Sequence, residues 1–314
     1  MRAISQDEFG GPEVLRVVEL ERPEPLPTEV LIRVHAAGVN PVDYKTREGS
    51  GVAGILGTPP FVLGWDVAGV VEQVGGGVHT LEVGDEVFGM PWFPRAASAY
   101  AEYVTAPSRQ FAKKPANLSY AEAAVPLAGL TAWQILTAAA DVQPGQRVLI
   151  TAAAGGVGHL AVQFAKALGA HVTGTASAGK HEWLRELGAD ELVDYQSTAV
   201  DQAVADIDVV VDLLGSETTL DQAIKVLKPG GRLVAVPSGT SAELVSKAKA
   251  AGVHATGFLV EPDGHALGEI ARLIEAGKVR VEIEQVYPLA EAAKAHERME
   301  SGRTRGKLVL DTTV

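Results

Sequence analysis

The sequence predicts an α/β protein with two differently built domains, a β-rich module followed by a doubly wound parallel sheet. Residues 1–115 contain short β-type runs such as VLIRVHAAGV and DVAGVVEQVG, separated by glycine and proline, which is typical of a barrel or sandwich. From about Ser119 onward apolar strands alternate with helices, the pattern of a parallel sheet. The length of 314 residues also exceeds what one hydrophobic core commonly serves.

The last segment of the chain returns to β-type sequence. Lys278–Val314 contains the strand-like run VRVEIEQVYPL, a charged helix at 290–301 and the run GKLVLDT. We expect this segment to rejoin the first module. The predicted boundaries are therefore a first domain over 1–120, completed by 262–314, and a second domain over 121–261.

The second domain is predicted to begin with a helix and to continue as alternating strands and helices. Ser119 is followed three residues later by Glu122, the capping-box spacing of a helix start. Runs such as DVVVDLL are continuously apolar, as strands covered on both faces are. The predicted strands lie at 147–153, 171–176, 191–195, 208–215, 231–237 and 255–260, and the helices at 157–168, 180–188, 198–205, 218–227 and 241–251.

Composition and charge limit the classes of function. The 46% hydrophobic and 21% charged residues are ordinary for a soluble globular protein. The net charge of −12 disfavours nucleic acid or an anionic membrane as a partner. Cysteine is absent from the sequence, which excludes disulfides, thiolate nucleophiles and cysteine-containing zinc sites. The N-terminal residues show no apolar signal region, so we expect a cytoplasmic enzyme.

The segment TAAAGGVGHLAVQFAKALG, Thr151–Gly169, has the form of a phosphate cradle that opens a helix. Its G-x-G-x-x-G template begins with Ala153 and is completed by Gly155 and Gly158. Alanine fits the first position if the backbone there keeps a negative φ. Gly155 allows the backbone to approach a pyrophosphate, Gly158 allows close packing of helix and strand, and the helix N-terminus offers N–H groups. We predict a dinucleotide site here, the alternative being a tight turn without a ligand.

The sequence after the second strand predicts which dinucleotide binds. An NAD site places an acidic side chain about 20 residues beyond the cradle, where it holds the ribose 2′-hydroxyl. No acid lies between Ala170 and His181, and the run GTASAGK instead offers Ser177 as a donor and Lys180 as a charge, which suit a 2′-phosphate. NADP(H) is therefore favoured over NAD(H), and the alternative for Lys180 is a solvated surface lysine.

Five motifs stand in order along the chain: AAGVNPVDYKTREG at 36–49, LGWDVAGVV at 63–71, VGDEVFG at 83–89, AAVPLAGLTAW at 123–133 and AAAGGVG at 152–158. With these motifs the chain resembles the medium-chain dehydrogenase/reductase superfamily over essentially its full length, specifically the zinc-free quinone oxidoreductase (zeta-crystallin-like) branch. The resemblance implies a GroES-like β-rich catalytic domain with an inserted Rossmann domain, and a cofactor in the cleft between them.

The resemblance also implies residue roles around the cofactor. Lys180 and Tyr195 would hold the 2′-phosphate and the adenosine end, and Arg303 or Lys307 would close over the phosphate. Segments after the later strands would line the ribose and the nicotinamide. The predicted cofactor-binding residues are Thr131, Ala153, Gly155, Gly156, Val157, Gly158, Ser177, Lys180, Tyr195, Leu214, Gly215, Pro237, Ser238, Phe258, Leu259, Val260, Arg303 and Lys307.

No metal site is predicted. Zinc alcohol dehydrogenases of the same superfamily hold their metal with a cysteine, a Gly-His-Glu motif and a further cysteine. Here the middle motif is Gly64-Trp65-Asp66, in which Trp65 replaces the imidazole. Asp66 alone cannot rebuild that ligand set.

Without a Lewis acid, the reaction most accessible to NADPH is conjugate reduction of an enone or alkenal, or reduction of a quinone. Negative charge then develops on the carbonyl oxygen, where donors stabilise it, and a proton is delivered. The run NPVDYK supplies the candidate catalytic residues Asn40, Asp43, Tyr44 and Lys45. Asn40 would orient the nicotinamide or the substrate carbonyl, and Tyr44 or Lys45 would polarise it or supply the proton. The alternative is a structural turn in which Asp43 caps a helix.

Two rival enzyme classes lack their marker residues. A short-chain dehydrogenase needs Tyr-x-x-x-Lys, which none of the six tyrosines provides, and a Rossmann methyltransferase needs an acid after the second strand. Two alternatives stay open: an NADP-binding structural or regulatory protein without turnover, and a reductase of a 2-enoyl thioester. The expected partners are a small-molecule enone or quinone and a second copy of the chain, paired through the edge strand HATGFLV, with neither nucleic acid nor a membrane.

Overall fold

The structure, a computed structural model, describes residues 1–236 and 241–314. The chain forms two compact units. The first unit comprises Met1–Leu130, Glu261–Gly277 and Val281–Val314, and the second comprises Thr131–Val260 and Lys278–Arg280. Among the described residues, no helix is both long enough and apolar enough to span a membrane.

Strands and helices are numbered in chain order. The strands are β1 (Arg2–Gln6), β2 (Arg16–Glu19), β3 (Glu29–Val39), β4 (Phe61–Val62), β5 (Val67–Val74), β6 (Glu86–Gly89), β7 (Tyr103–Pro107), β8 (Phe111–Lys113), β9 (Arg147–Ile150), β10 (His171–Thr175), β11 (Glu191–Val193), β12 (Ile207–Asp212), β13 (Leu227–Ala235), β14 (His254–Gly257), β15 (Ile283–Pro288) and β16 (Lys307–Asp311). The helices are α1 (Pro41–Arg47), α2 (Ala53–Leu56), α3 (Tyr120–Ala123), α4 (Pro126–Gln134), α5 (Gly156–Ala167), α6 (His181–Glu186), α7 (Val200–Ala203), α8 (Glu217–Val226), α9 (Ala242–Ala250), α10 (Gly264–Glu275) and α11 (Ala292–Glu300).

The first unit is built around the long strand β3. One sheet has the strand order β15-β16-β3-β5-β6-β8, with β7 paired to β3, and a smaller sheet has the order β2-β1-β4. β3 pairs antiparallel with β5, β7 and β16, and nearly all of its residues are buried. Because β16 pairs with β3, the last segment of the chain belongs to the same sheet as the early strands.

The second unit is a parallel sheet with the order β11-β10-β9-β12-β13-β14. This is the strand order of a Rossmann sheet, so the predicted fold class is confirmed. β14 lies at the edge of the sheet, as the sequence predicts. The strands end at a common edge, because Ile150 is level with both Gly174 and Val211, and Ala235 is level with Asp212.

The helix predicted from Ser119 is broken by a proline. Ser119 caps α3 as predicted, and its Oγ accepts a hydrogen bond from the Glu122 N–H at 3.2 Å. The helix nevertheless ends at Ala123, and a new one begins at Pro126, because proline has no N–H and disfavours helical backbone in the residue before it. α4 then passes into a π-helical turn over Ile135–Ala139.

Helix α10 is missing from the predicted elements. Its buried residues Leu267, Ile270 and Ile274 recur at helical spacing. Asp263 caps its N-terminus by accepting hydrogen bonds from the N–H groups of His265 and Ala266. Both signals are present in the sequence and would have located the helix.

Candidate active site

The predicted phosphate cradle is the turn between β9 and α5. α5 begins at Gly156, and Gly155 forms its N-cap in an extended conformation (φ −81°, ψ −177°). Helices α8 and α9 of the same unit are capped by the hydroxyls of Ser216 and Ser241, whereas in the described chain α5 carries no side-chain cap. The first N–H groups of α5 are therefore left for a ligand or water.

Ala153 occupies the first glycine position of the cradle without backbone strain. The residue with positive φ in this turn is Ala152 (φ 47°), not Ala153, so the condition predicted for alanine is met. The Ala153 methyl is fully buried, and a Cβ at Gly174 of β10 would lie 2.9 Å from it. Alanine fits at position 153 because position 174 has no side chain.

Gly158 has the packing role predicted for it. A Cβ at this position would lie 2.3 Å from the Ala152 carbonyl oxygen and 2.7 Å from the Ala153 Cα. Both are backbone atoms that cannot rotate away, so only glycine allows α5 to approach the turn this closely. A Cβ at Gly155 would meet only the Ala152 oxygen, at 3.3 Å, within the described structure. That side of the turn is consequently open to a ligand.

Ser177 and Lys180 follow β10 and Tyr195 follows β11, at the carboxyl edge of these two paired strands. Thr175 of β10 pairs with Val193 of β11, so Ser177 and Tyr195 each lie two residues beyond paired positions. Lys180 ends the short 3-10 turn that follows Ser177. Tyr195 is exposed, Ser177 and Lys180 are half-buried, and positions 176–180 carry no acid.

Two buried residues that the sequence analysis did not assign hold the turn after β12. Thr151 Oγ1 donates to Asp212 Oδ1 at 2.9 Å and accepts from the Leu213 N–H at 2.8 Å. Asp212 Oδ2 accepts from the Gly215 N–H at 2.7 Å. A polar residue at the carboxyl end of each of two apolar strands was the sequence signal for this pair. The turn Leu213–Gly215 is thereby fixed at the edge of the sheet.

The remaining predicted cofactor residues of the second unit differ in exposure. Leu214 and Leu259 are exposed, Phe258 is half-buried, and Thr131 and Val260 are buried. The Phe258 N–H donates to the Ala235 carbonyl at 3.1 Å, which keeps the chain after β14 beside the end of β13. Pro237 and Ser238 lie outside the described residues.

Lys307 does not fit the phosphate-closing role predicted for it. It lies on β16 in the first unit and is 2% exposed. Its Nζ donates to the Val39 carbonyl at 2.9 Å and to Asn40 Oδ1. An ammonium held inside the unit is not available to a bound phosphate. Arg303, the other candidate, is exposed.

Asn40, Asp66 and Lys307 form a buried polar cluster in the first unit. Asn40 Nδ2 donates to Asp66 Oδ2 at 2.8 Å, and Asn40 Oδ1 accepts from Lys307. Asp66 Oδ1 accepts from the Leu127 N–H at 2.5 Å, and Asp66 Oδ2 lies 3.4 Å from Lys307 Nζ. Burial raises the pKa of Asp66, and the Lys307 ammonium opposes that rise. The Asn40 amide is thus bonded within the cluster rather than directed at a nicotinamide or substrate, contrary to the expectation.

Asp43 caps α1 and is not placed to contact a substrate. It is fully buried, and its Oδ2 accepts from the Asn40 N–H at 2.6 Å as half of a capping box. The structural alternative in the sequence analysis is therefore the arrangement found. Buried as it is, the Asp43 carboxyl cannot reach a ligand.

Tyr44 and Lys45 are the members of the NPVDYK run that remain available. Both are half-buried on α1. Burial raises the pKa of Tyr44, and the nearby Glu48 and Glu300 add to the rise. The hydroxyl of Tyr44 therefore stays protonated and can donate a hydrogen bond.

Comparisons with known proteins agree with this architecture. Residues 26–116 match the alcohol dehydrogenase GroES-like domain, and residues 187–310 match a family described as zinc-binding dehydrogenase. The chain is 33% identical to the zebrafish (Danio rerio) protein "NAD(P)H oxidoreductase RTN4IP1, mitochondrial", covering 97% of this chain and 89% of the relative. It is 35% identical to the Arabidopsis thaliana protein "NADPH-dependent alkenal/one oxidoreductase, chloroplastic", covering 99% and 79%. The solved structure of the quinone oxidoreductase from Coxiella burnetii matches with a TM-score of 0.93 and 41% identity over 99% of both chains.

The chain belongs to the quinone oxidoreductase branch of the medium-chain dehydrogenase/reductase superfamily. The predicted resemblance is confirmed, and the protein is an oxidoreductase of this superfamily.

Within the superfamily, the Gly64-Trp65-Asp66 motif of this chain has a structural role. Trp65 is fully buried, its Nε1 donates to the Arg95 carbonyl at 2.7 Å, and its ring packs edge-to-face on Phe93 at 5.6 Å. Asp66 is held by Asn40 and Lys307, as described above. In the part of the chain that the structure describes, no group of three or more His, Asp or Glu side chains is arranged to hold a metal ion.

Proposed function

We propose that the protein is an NADPH-dependent reductase that transfers hydride, without a metal ion, to the activated C=C bond of an enone or alkenal or to a quinone. The observation that carries this proposal is the carboxyl edge of the second unit. There the start of α5 carries no side-chain cap in the described chain. The acid-free segment after β10 carries Ser177 and Lys180, and Tyr195 follows the paired strand β11. The names of the Arabidopsis and Coxiella relatives support the substrate class.

The residues at this edge fit an NADP(H) molecule. The N–H groups at the start of α5 would hold the pyrophosphate, since they carry no side-chain cap in the described chain. The Ser177 hydroxyl and the Lys180 ammonium would hold the 2′-phosphate, and the exposed ring of Tyr195 would pack on the adenine. When bound, NADPH supplies the hydride.

Our candidates for the hydrogen-bond donors to the substrate are Tyr44 and Lys45 on α1. Reduction of an enone places negative charge on the carbonyl oxygen, and donors aimed at that oxygen lower the barrier. Tyr44 is our candidate for the main donor, because its raised pKa keeps the hydroxyl protonated. Lys45, the next residue on α1, is the second candidate, because its amino group is a hydrogen-bond donor.

Steady-state kinetics test this proposal. NADPH and NADH are compared as donors to an enone, an alkenal and a benzoquinone, by following the loss of reduced-nicotinamide absorbance. We expect the Lys180→Ala variant to lower kcat/KM for NADPH by about tenfold to a hundredfold with little change for NADH, since a hydrogen bond to a charged group contributes about 1.5–3 kcal/mol. The matched control is Lys249→Ala, an exposed lysine of the same unit, which should leave both values unchanged.

Three outcomes would contradict separate parts of the proposal. Binding of NADPH without turnover on any acceptor would favour a structural or regulatory cofactor-binding protein. Equal losses for NADPH and NADH in the Lys180→Ala variant would refute the phosphate role of Lys180. Loss of activity after treatment with a chelator would refute metal independence.

A further inference from the structure

A line of buried polar side chains joins α1 to α11 inside the first unit. Arg47 Nη1 lies 3.1 Å from His296 Nδ1, and His296 Nε2 lies 3.1 Å from the Tyr100 hydroxyl. The Tyr100 hydroxyl lies 2.9 Å from Asp43 Oδ2. All four residues are 0% exposed. Four fully buried polar side chains in one line are costly unless each is hydrogen-bonded.

The hydrogen bonds of this line all run in one direction. Arg47 is only a donor, so His296 Nδ1 must accept. Burial and the neighbouring Arg47 charge lower the pKa of His296 to about 3, so the ring is neutral and its proton resides on Nε2. His296 therefore donates to the Tyr100 oxygen, and the Tyr100 hydroxyl donates to Asp43. The Asp43 carboxylate is the final acceptor.

Both ends of the line are anchored. The Arg47 guanidinium donates to the Gly10 carbonyl at 3.0 Å and to Glu300 at 2.6 Å. At the other end, Asp43 Oδ2 also accepts from the Asn40 N–H, which begins α1. Tyr100 is seated against Gly64 (φ 95°), where a Cβ would lie 2.4 Å from its ring. The glycine of the Gly64-Trp65-Asp66 motif thus makes room for the tyrosine of this line.

The charges facing Asp43 come from several elements. Asp66, just before β5, raises its pKa, and Lys307 on β16 lowers it. The main cause is burial, and the hydrogen bonds from Asn40 and Tyr100 oppose it, leaving the pKa of Asp43 at about 7. Among the described residues, Asp43 Oδ1 has no hydrogen-bond partner. Asp43 therefore changes charge near neutral pH, while its neighbours Tyr100 and His296 keep theirs.

We propose that Asp43 is a positioning residue for the reduction, in which the directed line Arg47–His296–Tyr100–Asp43 fixes the first turn of α1 and with it Tyr44 and Lys45. This inference rests on the proposed function only in assigning Tyr44 and Lys45 to the substrate. Burial raises the pKa of Asp43, so the folded arrangement favours the protonated carboxyl, and ionisation weakens the arrangement that buries it. The active arrangement of α1 is consequently favoured at pH values below the titration of Asp43.

The pH profile of kcat for enone or quinone reduction tests the proposal. We expect kcat of the wild-type protein to fall as pH rises through about 7, where Asp43 ionises. Asp43→Asn should stay near the low-pH level with no inflection, and Tyr100→Phe should move the inflection to higher pH because it removes a bond to the carboxylate. The KM for NADPH should not change in either variant. The matched control is Tyr103→Phe on β7, outside the line, which should behave as wild type.

Hydrogen exchange of the α1 amides gives a readout that does not depend on turnover. Exchange at residues 41–47 should be faster in Tyr100→Phe, which loses the hydrogen bond to Asp43, than in Tyr103→Phe, with the rest of the first unit unchanged. If the wild-type protein reduces no acceptor while α1 loosens as expected, the proposed function fails and the positioning of α1 stands. If α1 exchange is unchanged in Tyr100→Phe, or if Asp43→Asn keeps the inflection of kcat, the inference itself is refuted.

Discussion

Replacing Lys307 with methionine should destabilise the first unit by about 3–5 kcal/mol, because it removes one partner of a buried ion pair. Lys307 and Asp66 are 2% and 0% exposed. The variant leaves the Asp66 carboxylate with only the Asn40 amide and the Leu127 N–H as donors in the described structure. Since these two donors compensate part of the charge, we expect about 3 kcal/mol, the lower end of the range.

The assay is urea denaturation followed by tryptophan fluorescence. Trp65 and Trp92 report on the first unit, and a Trp133→Phe/Trp183→Phe background removes the signal of the second. Replacing both partners, Lys307→Met with Asp66→Asn, should recover at least about 1 kcal/mol of the summed single losses, because neither charge is then buried alone. A Lys307→Met variant within about 0.5 kcal/mol of wild type, the usual range for a surface substitution, would refute the reasoning. The reasoning would also be refuted if the loss in the double variant equalled the sum of the losses in the two single variants.

Three further predictions follow from other parts of the molecule. Gly174→Ala should be destabilising because its Cβ would lie 2.9 Å from the Ala153 methyl, and adding Ala153→Gly should restore part of the loss; thermal denaturation showing no recovery would contradict this packing. The pKa of Asp43 is raised from 3.8 to about 7, so the native state holds a proton that the unfolded chain releases, and stability from this group falls as pH rises through that window. The pKa of His296 is lowered from 6.5 to about 3, so the stability from this group rises with pH, opposite to that from Asp43. The free energy of unfolding of Asp43→Asn should therefore rise more steeply with pH than that of wild type between about pH 4 and 6.5 in denaturation titrations, and equal slopes would contradict this. Pairing of the exposed edge of β14 with its copy predicts a dimer by light scattering, and a monomer at all concentrations would remove that proposal.

The fold and the cradle could be predicted from sequence because their signals are local. The apolar runs, Gly158 and the acid-free segment before His181 each depend on residues close together in the chain, and the structure places them as expected. The two differences from the predicted helices also had local signals. Pro126 indicates the break between α3 and α4, and the spacing of Leu267, Ile270 and Ile274 indicates α10.

The polar core of the first unit could not be predicted in this way. Tyr100 and His296 are 196 positions apart, and Asn40 and Lys307 are 267 apart. The sequence NPVDYK is the same whether its polar side chains face a substrate or form hydrogen bonds with buried residues, so the sequence alone does not distinguish the two arrangements. Only the tertiary structure shows that Asn40 and Asp43 are bonded inside the first unit, so that Tyr44 and Lys45 are the remaining candidates in this run.

The position to which hydride is delivered tests the central claim most directly. The metal-depleted protein is incubated with NADPH deuterated at the transferred position and an open-chain enone, and the product is examined by NMR and mass spectrometry. The account predicts a saturated ketone with a single deuterium on the carbon β to the carbonyl. Deuterium on the carbonyl carbon of an allylic alcohol, or product formed only after zinc is restored, would contradict it.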